Sequence, residues 1–360
     1  MKIIILAGGM GRRLWPVSNN SEPKQFIDFF GTGESLLQTA CRRAASVVGE
    51  TGVIVVTNEQ FGETAHRQLP WLPAGHLLLE PVHRNTCPAA AWAVHRAMEE
   101  SGDDDTVALM PADQLILHEE RFAAALQQAS TFVATHDTVL TMGATPTRTE
   151  PGYGYIQIEV PLTDGDAAAA GTVSGQIWNV KSFIEKPERE FAKMLIESGE
   201  FLWNTGIYVS RIGYLRQQFK TLLPYVLRDM DGTIEEEERF VRDNYSKYPN
   251  LSLDLAILER MPSRSVMHSD FGWADIGTWH GIYEAIPKDG NDNVVVNSRS
   301  RVTTDNSRNN IVSMRDGRLA VLSGLEGFII AESDDVLLIC PKGDSSALVR
   351  KYRLLNEEPS

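Results

Sequence analysis

A chain of 360 residues, 42% hydrophobic and 23% charged, has the composition of an ordinary globular protein, long enough for one large or two unequal domains. Its formal net charge of −14 excludes general binding to nucleic acid or to an anionic membrane surface, so an anionic ligand needs a local basic pocket. Three cysteines, Cys41, Cys87 and Cys340, are odd in number and widely spaced, which favours reduced buried thiols over a disulfide framework or a zinc site.

The first element is the apolar run Ile3–Ala7, which predicts a buried strand. It is too short for a signal-peptide core, and no later run reaches membrane-spanning length, so a cytoplasmic protein is expected. The strand stops at Gly8-Gly9-Met10-Gly11-Arg12-Arg13-Leu14-Trp15-Pro16, and Pro23-Lys24-Gln25-Phe26 follows. Glycines let backbone N–H groups approach phosphate closely, and Arg13 and Lys24 supply cations to neutralise it. The glycines alone leave a dinucleotide turn or a plain tight turn open. A clean G-x-G-x-x-G is missing, Pro16 would interrupt a phosphate-binding helix, and no Gly-Lys-Ser/Thr follows as in a Walker A loop.

Next come a helix over Leu36–Val48, strands at Val53–Thr57 and Leu77–Glu80, and a helix over Ala89–Glu99. A strand at Thr106–Met110, a helix over Phe122–Thr135 and a strand at Val139–Gly143 complete the alternation. It predicts an α/β fold with a Rossmann-like mixed, mostly parallel sheet flanked by helices. Ligands of such sheets sit beyond the carboxyl ends of the strands, where Gly8, Glu80 and Pro111–Asp113 fall. Tyr153–Val160 and Ile177–Ile184 read as strands flanking a polar, alanine-rich loop at Thr163–Gly175. The acidic stretch Glu235–Glu238 reads as a solvated helix face. Beyond Pro287 short strands recur at Val294–Asn297, Asn310–Ser313, Leu319–Leu322, Phe328–Ala331 and Val336–Ile339, separated by turn residues. Residues 287–360 therefore read as a small β-rich C-terminal domain, closed by an amphipathic helix over Ser346–Leu355.

Two isolated carboxylates stand out. Leu109-Met110-Pro111-Ala112-Asp113 ends a strand in an aspartate, and Gly272-Trp273-Ala274-Asp275-Ile276-Gly277 places another between glycines. Oxygen ligands of this kind suit Mg²⁺ with substrate phosphates, although either aspartate alone is more often a turn or cap residue.

The string from Leu6 to Pro16, taken with Pro23-Lys24-Gln25-Phe26, resembles the signature of sugar-phosphate nucleotidyltransferases, and most of all their mannose-1-phosphate guanylyltransferase branch. Further ordered segments extend the resemblance over nearly the whole chain: Glu80-Pro81-Val82-His83-Arg84-Asn85-Thr86, Pro151-Gly152-Tyr153-Gly154-Tyr155, Phe183-Ile184-Glu185-Lys186-Pro187 and Trp203-Asn204-Thr205-Gly206. Ser252-Leu253-Asp254 also matches a family segment and is assigned no role. The family carries Thr or Ser where this chain has Arg12.

The resemblance implies residues 1–286 as the catalytic domain, and a short left-handed β-helix-like segment in 287–360 that serves dimer contacts. It implies guanylyl transfer from GTP to α-D-mannose 1-phosphate, giving GDP-mannose and diphosphate, in a homodimer. Arg13 and Lys24 would be catalytic, and Asp113 and Asp275 would hold Mg²⁺. Nucleotide contacts would come from Leu6, Ala7, Gly8, Gly9, Gly11, Arg12, Glu80, Asn85, Thr86, Pro111 and Asp113. Sugar-phosphate contacts would come from Gly154, Glu185, Lys186 and Asn204. An ionised Glu80 suits guanine, whose N1–H and N2–H₂ are adjacent donors. A strand-end glutamate in water is the plain alternative, as a surface charge pair is for Glu185-Lys186 and a core position is for Trp203. The residues leave open a sister enzyme for another sugar 1-phosphate, and a non-catalytic nucleotide-sugar sensor on the same fold.

Overall fold

Ile3, Ile4 and Ile5 are fully buried because β1 (Lys2–Leu6) runs through the interior of a sheet with neighbours on both edges. Its partners are β2 (Val53–Asn58), which pairs in turn with β3 (Leu77–Glu80), and β4 (Thr106–Pro111). These four strands are parallel, and near-continuous Val/Ile/Leu runs are what a sheet covered on both faces requires. The sheet continues through β5 (Val139–Ala144), β6 (Tyr155–Pro161), β7 (Ile177–Ile184), β8 (Phe201–Arg211) and β9 (Arg264–His268). The spatial order is β3-β2-β1-β4-β8-β5-β9-β7-β6, with β6 also pairing with β8.

The computed structural model describes residues 1–161, 174–227, 233–343 and 345–356. Contacts divide the chain into two compact units. The first holds Met1–Gly8, Cys41–Pro111 and Ile116–Trp273; the second holds Gly9–Ala40, Ala112–Leu115 and Ala274–Ser360. These units do not follow a border at 286/287, because the second takes in the segment that follows β1 as well as the C-terminal strands.

In the first unit, the expectation of a mostly parallel sheet needs correcting. The sheet is mixed, as expected, but parallel pairings do not predominate, since β8 runs antiparallel to β4, β5 and β6, and β7 runs antiparallel to β9 and β6. Strand direction follows from how each connection crosses the sheet, which periodicity does not record. Helix Thr86–Ser101 packs on the parallel half and buries an alanine-rich face, Ala89 to Ala93, against Ile4, Ile54 and Leu109. The helix over Ile234–Asn244 exposes Glu235, Glu236 and Glu238, but Glu237 is 1% exposed, so the solvated-face reading fails at that residue. Thr163–Val173 of the expected polar loop lie outside the described residues. All three cysteines are buried free thiols, and among the described residues no helix is long and apolar enough to cross a membrane.

The second unit has its own core. Leu14, Trp15, Phe29 and Leu36 pack with Ile276, Trp279 and Ile282, and with Val294, Ile311, Ile329 and Val349. Val294–Val295, Ile311–Ser313 and Phe328–Glu332 stack in parallel, with Val294 opposite Ile311 and Ile311 opposite Ile329, steps of 17 and 18 residues. Arg301–Asp305 pairs in parallel with Leu319–Ser323 at a step of 18 residues. A strand at Arg301–Asp305 has no counterpart in the sequence reading, because its polar run RVTTD lacks the apolar alternation that marks a half-buried strand. Buried Asn293 and Asn310 hold successive turns together: Asn310 Nδ2 donates to Asn293 Oδ1 at 2.9 Å, and Phe328 N donates to Asn310 Oδ1 at 2.9 Å. The closing helix spans Ser345–Asn356.

Candidate active site

The expected site residues fall in both units, and each set has its own geometry. In the first unit, register places Leu6 opposite Val56 and opposite Pro111, so the ends of β1 and β4 are level and β2 runs on past them to Asn58. Ala7 extends this edge, donating its N–H to Val56 O at 2.8 Å and accepting from Thr57 Oγ1 at 3.0 Å. A side chain on Gly8 would meet Glu80 Oε2 at 2.8 Å, so only glycine leaves the Glu80 carboxylate its present place.

Glu80 is 1% exposed, which removes the reading of a strand-end glutamate in water. Tyr245 Oη donates to its Oε1 at 2.6 Å. Burial pushes the Glu80 carboxyl up to about 7, opposed only in part by the Tyr245 hydrogen bond. The expectation of a simply ionised carboxylate is corrected to one that titrates near neutral pH. Tyr245, for which the sequence offers no signal, sits 6.2 Å from the Trp92 ring and 5.3 Å from that of Tyr248.

Asn85 holds φ 63° and ψ −168°, a backbone state normally left to glycine, and caps the helix with Oδ1 accepting from Thr86 N at 2.9 Å. Thr86 turns its hydroxyl to Leu253 N at 2.9 Å and so ties this turn to the Ser252-Leu253-Asp254 segment.

Gly154, Glu185 and Asn204 come together in the same unit. A side chain on Gly154 would meet Glu185 Oε2 at 2.9 Å and Asn204 Cβ at 3.3 Å. Lys186 pairs with Glu185 and has a φ of 43°. The expectation that Asn204 offers its amide to hydroxyls is corrected: its Nδ2 donates to Asp254 Oδ1 at 2.8 Å and to Tyr208 Oη at 3.0 Å. Burial, followed by the Asp254 charge, pushes the Tyr208 phenol well up. Trp203 is a core residue, edge-on to Tyr153 at 5.1 Å.

In the second unit, Gly11 has φ 60°, and a side chain there would collide with Ser18 Oγ and Lys24 Cγ. Gly9 accepts from Gln25 Nε2 at 2.8 Å, and Lys24 N donates to Ser18 Oγ at 2.9 Å, which closes the turn on itself. Lys24 is 4% exposed. Its Nζ lies 2.7 Å from Asp113 Oδ2 and donates to Ile276 O at 2.8 Å. The expected phosphate lysine and metal aspartate are therefore paired with each other. Arg12, exposed, donates to Asn20 Oδ1 at 3.2 Å. Arg13 Nη2 and the Asp275 carboxylate crowd Gly277, where a side chain would meet them at 3.0 Å and 2.6 Å.

A hard cation fits Asp113 and Asp275 by donor type, because both offer only oxygen and leave coordination to phosphates and water. A different group, His95, Glu99 and Glu237, lies in the first unit with ligand atoms within 4.8 Å of one another. It suits a metal poorly: Glu237 already accepts from Trp92 Nε1 and from Arg96 Nη2 at 3.0 Å, and Arg216 Nη2 lies 3.3 Å from His95 Nδ1. Two guanidiniums occupy the space around this group, so it reads as an ion network, buried at His95 and Glu237 and exposed at Glu99.

A family model described as nucleotidyl transferase matches residues 2–292. The chain is 31% identical to a mannose-1-phosphate guanylyltransferase of Escherichia coli, over 98% of this chain and 74% of that protein. It is 33% identical to the xanthan biosynthesis protein XanB of Xanthomonas campestris pv. campestris, over 93% of this chain and 69% of that protein. Among solved structures, one described as mannose-1-phosphate geranyltransferase from Thermus thermophilus superposes with a TM-score of 0.83 at 25% identity, covering 99% of each chain.

Proposed function

The chain belongs to the nucleotidyl transferase family, and from that premise we propose that it is a mannose-1-phosphate guanylyltransferase, converting GTP and α-D-mannose 1-phosphate to GDP-mannose and diphosphate. The observation that carries this reading is the similarity to the E. coli mannose-1-phosphate guanylyltransferase along 98% of the chain. The sugar phosphate's oxygen attacks the α-phosphorus in line and diphosphate leaves. A phosphate monoester with a second pKa of ~6 is already largely dianionic at neutral pH, so no general base is needed. Catalysis then rests on positioning and charge neutralisation.

Arg13 and Lys24 carry the positive charge for the triphosphate, and Gly9 and Gly11 let the backbone approach it. The Lys24–Asp113 pair supports this assignment, because a buried lysine held by one carboxylate is poised to exchange that partner for phosphate. Asp113 and Asp275 would hold Mg²⁺, which when bound supplies charge neutralisation at phosphate oxygens. Glu80 takes the guanine donors, and Asn85 and Thr86 shape the turn beside it. Gly154 and Glu185 line the sugar pocket, which Asn204 borders without offering its amide protons, with Lys186 on the sugar phosphate. We assign the strands between residues 294 and 341 to a left-handed β-helix-like coil. Its exposed Leu319, Val321, Leu337 and Ile339 suit contact with a second copy in a cytoplasmic homodimer.

The test is diphosphate release with MgCl₂ across a grid of nucleoside triphosphates and sugar 1-phosphates. GTP with mannose 1-phosphate is expected to give the highest kcat/KM. A preference for another pair overturns the substrate assignment, and GDP-mannose binding without any diphosphate release overturns the enzyme.

A further inference from the structure

Asn204 is the residue that would be expected to read sugar hydroxyls, yet its polar atoms are engaged within the protein. Its two amide protons go to Asp254 Oδ1 at 2.8 Å and Tyr208 Oη at 3.0 Å. Its Oδ1 accepts from Gly206 N at 3.0 Å and lies 3.3 Å from Tyr208 Oη. A side-chain amide has two donor protons, so Asn204 has none left for a hydroxyl. Tyr208, buried on β8, donates to Asp254 Oδ1 as well. One oxygen of Asp254 thus receives both neighbours, while Oδ2 has no protein partner among the described residues.

The backbone around Asp254 is fixed from two sides. Ser252 Oγ caps its short helix by accepting from Leu255 N at 3.3 Å, and Thr86 Oγ1 accepts from Leu253 N at 2.9 Å. Asn204 also borders the space that glycine leaves at position 154, where Glu185 Oε2 is the other neighbour. Asp254 and Glu185 act together electrostatically: both, after burial, push the Glu259 carboxyl up. A partly exposed carboxylate pinned through one oxygen presents the other in a set direction, and a carboxylate oxygen is a strong acceptor for hydroxyl protons.

We propose that Asp254 binds a hydroxyl of the sugar phosphate directly, and that Asn204 and Tyr208 are positioning residues that aim its carboxylate. This rests on the sugar-phosphate reading of the pocket under Proposed function. Hydrogen bonds to a charged group contribute about 1.5–3 kcal/mol, which converts to roughly 10- to 100-fold in affinity.

The experiment compares wild type with Asp254→Asn and Asp254→Ala, using mannose 1-phosphate and its 2-, 3-, 4- and 6-deoxy analogues at saturating GTP. In wild type, one deoxy analogue is expected to lose roughly 10- to 100-fold in kcat/KM relative to the parent. In both variants the parent sugar drops by a similar factor, and that analogue no longer differs from it. The KM for GTP and the melting temperature stay within about twofold and a few degrees of wild type. Tyr208→Phe gives a smaller rise in sugar KM, as a positioning role requires. An unchanged sugar KM in Asp254→Ala overturns the proposal. So does a parent-to-analogue ratio that is the same in wild type and variants, which is what a purely structural Asp254 would give. If wild type releases diphosphate with a different hexose 1-phosphate, the substrate reading falls. The same cycle run on that sugar's deoxy analogues then decides the role of Asp254 separately.

Discussion

Glu80, proposed above to read guanine, is a buried side chain whose role can be tested through pH. Its carboxyl titrates at about 7 because burial disfavours the charge. Guanine donors need the ionised form, so GTP affinity is expected to rise with pH through about 7. Glu80→Gln is expected to bind GTP more weakly and to lose that pH dependence; a variant whose KM for GTP matches wild type at every pH would remove Glu80 from base recognition. Stability of the free protein runs the other way. A carboxyl raised in the folded state is protonated there while the unfolded chain is already ionised, so the folded state binds more protons. Its contribution is fully present below the unfolded value and is lost as pH climbs toward about 7, a slope that denaturant unfolding should find reduced in Glu80→Gln. Lys24→Ala and Asp275→Ala are expected to lower turnover by at least ~10²–10³ while the protein stays folded. Near-wild-type turnover in either variant would take that residue out of the mechanism.

Among the elements, the helix Ile234–Asn244 is the one most changed by tertiary context. Four consecutive glutamates suit a solvated face, and a Thr233–Glu236 capping box starts the helix as its sequence suggests. Glu237 nevertheless turns inward to Arg96, Trp92 and, through Arg96, the carbonyl of Gly75. Removing one partner of such a fully buried pair leaves an uncompensated charge and costs about 3–5 kcal/mol. Glu237→Ala is expected to lose that much in urea unfolding, while Glu238→Ala, on the exposed side, changes little. The C-terminal strands depend on a different device. Asn310 donates from its side chain to Asn293 Oδ1 and to Leu325 O, both at 2.9 Å, and accepts from Phe328 N at 2.9 Å, so Asn310→Ala removes two donors, leaves Phe328 N without its acceptor and should cost about 1–3 kcal/mol.

At the scale of the whole molecule, the second unit joins segments far apart in sequence. Val349 on the closing helix is 1% exposed and shares a core with Leu14 and Trp15, which directly follow Arg12-Arg13. The C-terminal segment therefore supports the proposed phosphate-binding turn, in addition to any role in dimer contact. Val349→Asp places a charge in that core and is expected to lower the melting temperature and diphosphate release together. Unchanged turnover in that variant would separate the closing helix from the turn.

Periodicity and turn chemistry in the sequence alone were enough to determine most strands and helices, since the apolar runs of β1 to β4 and of the C-terminal strands other than Arg301–Asp305 are local patterns. The direction of β8, the inward turn of Glu237, the Tyr245–Glu80 bond and the engagement of Asn204 by Asp254 were decided only by tertiary structure. Each depends on groups brought together from distant positions. Tyr245 and Glu80 are 165 residues apart; burial sets the charge state of Glu80, and the meeting with Tyr245 sets its hydrogen bond. A residue type states which hydrogen bonds are available, and burial and neighbours decide which of them remain for a ligand.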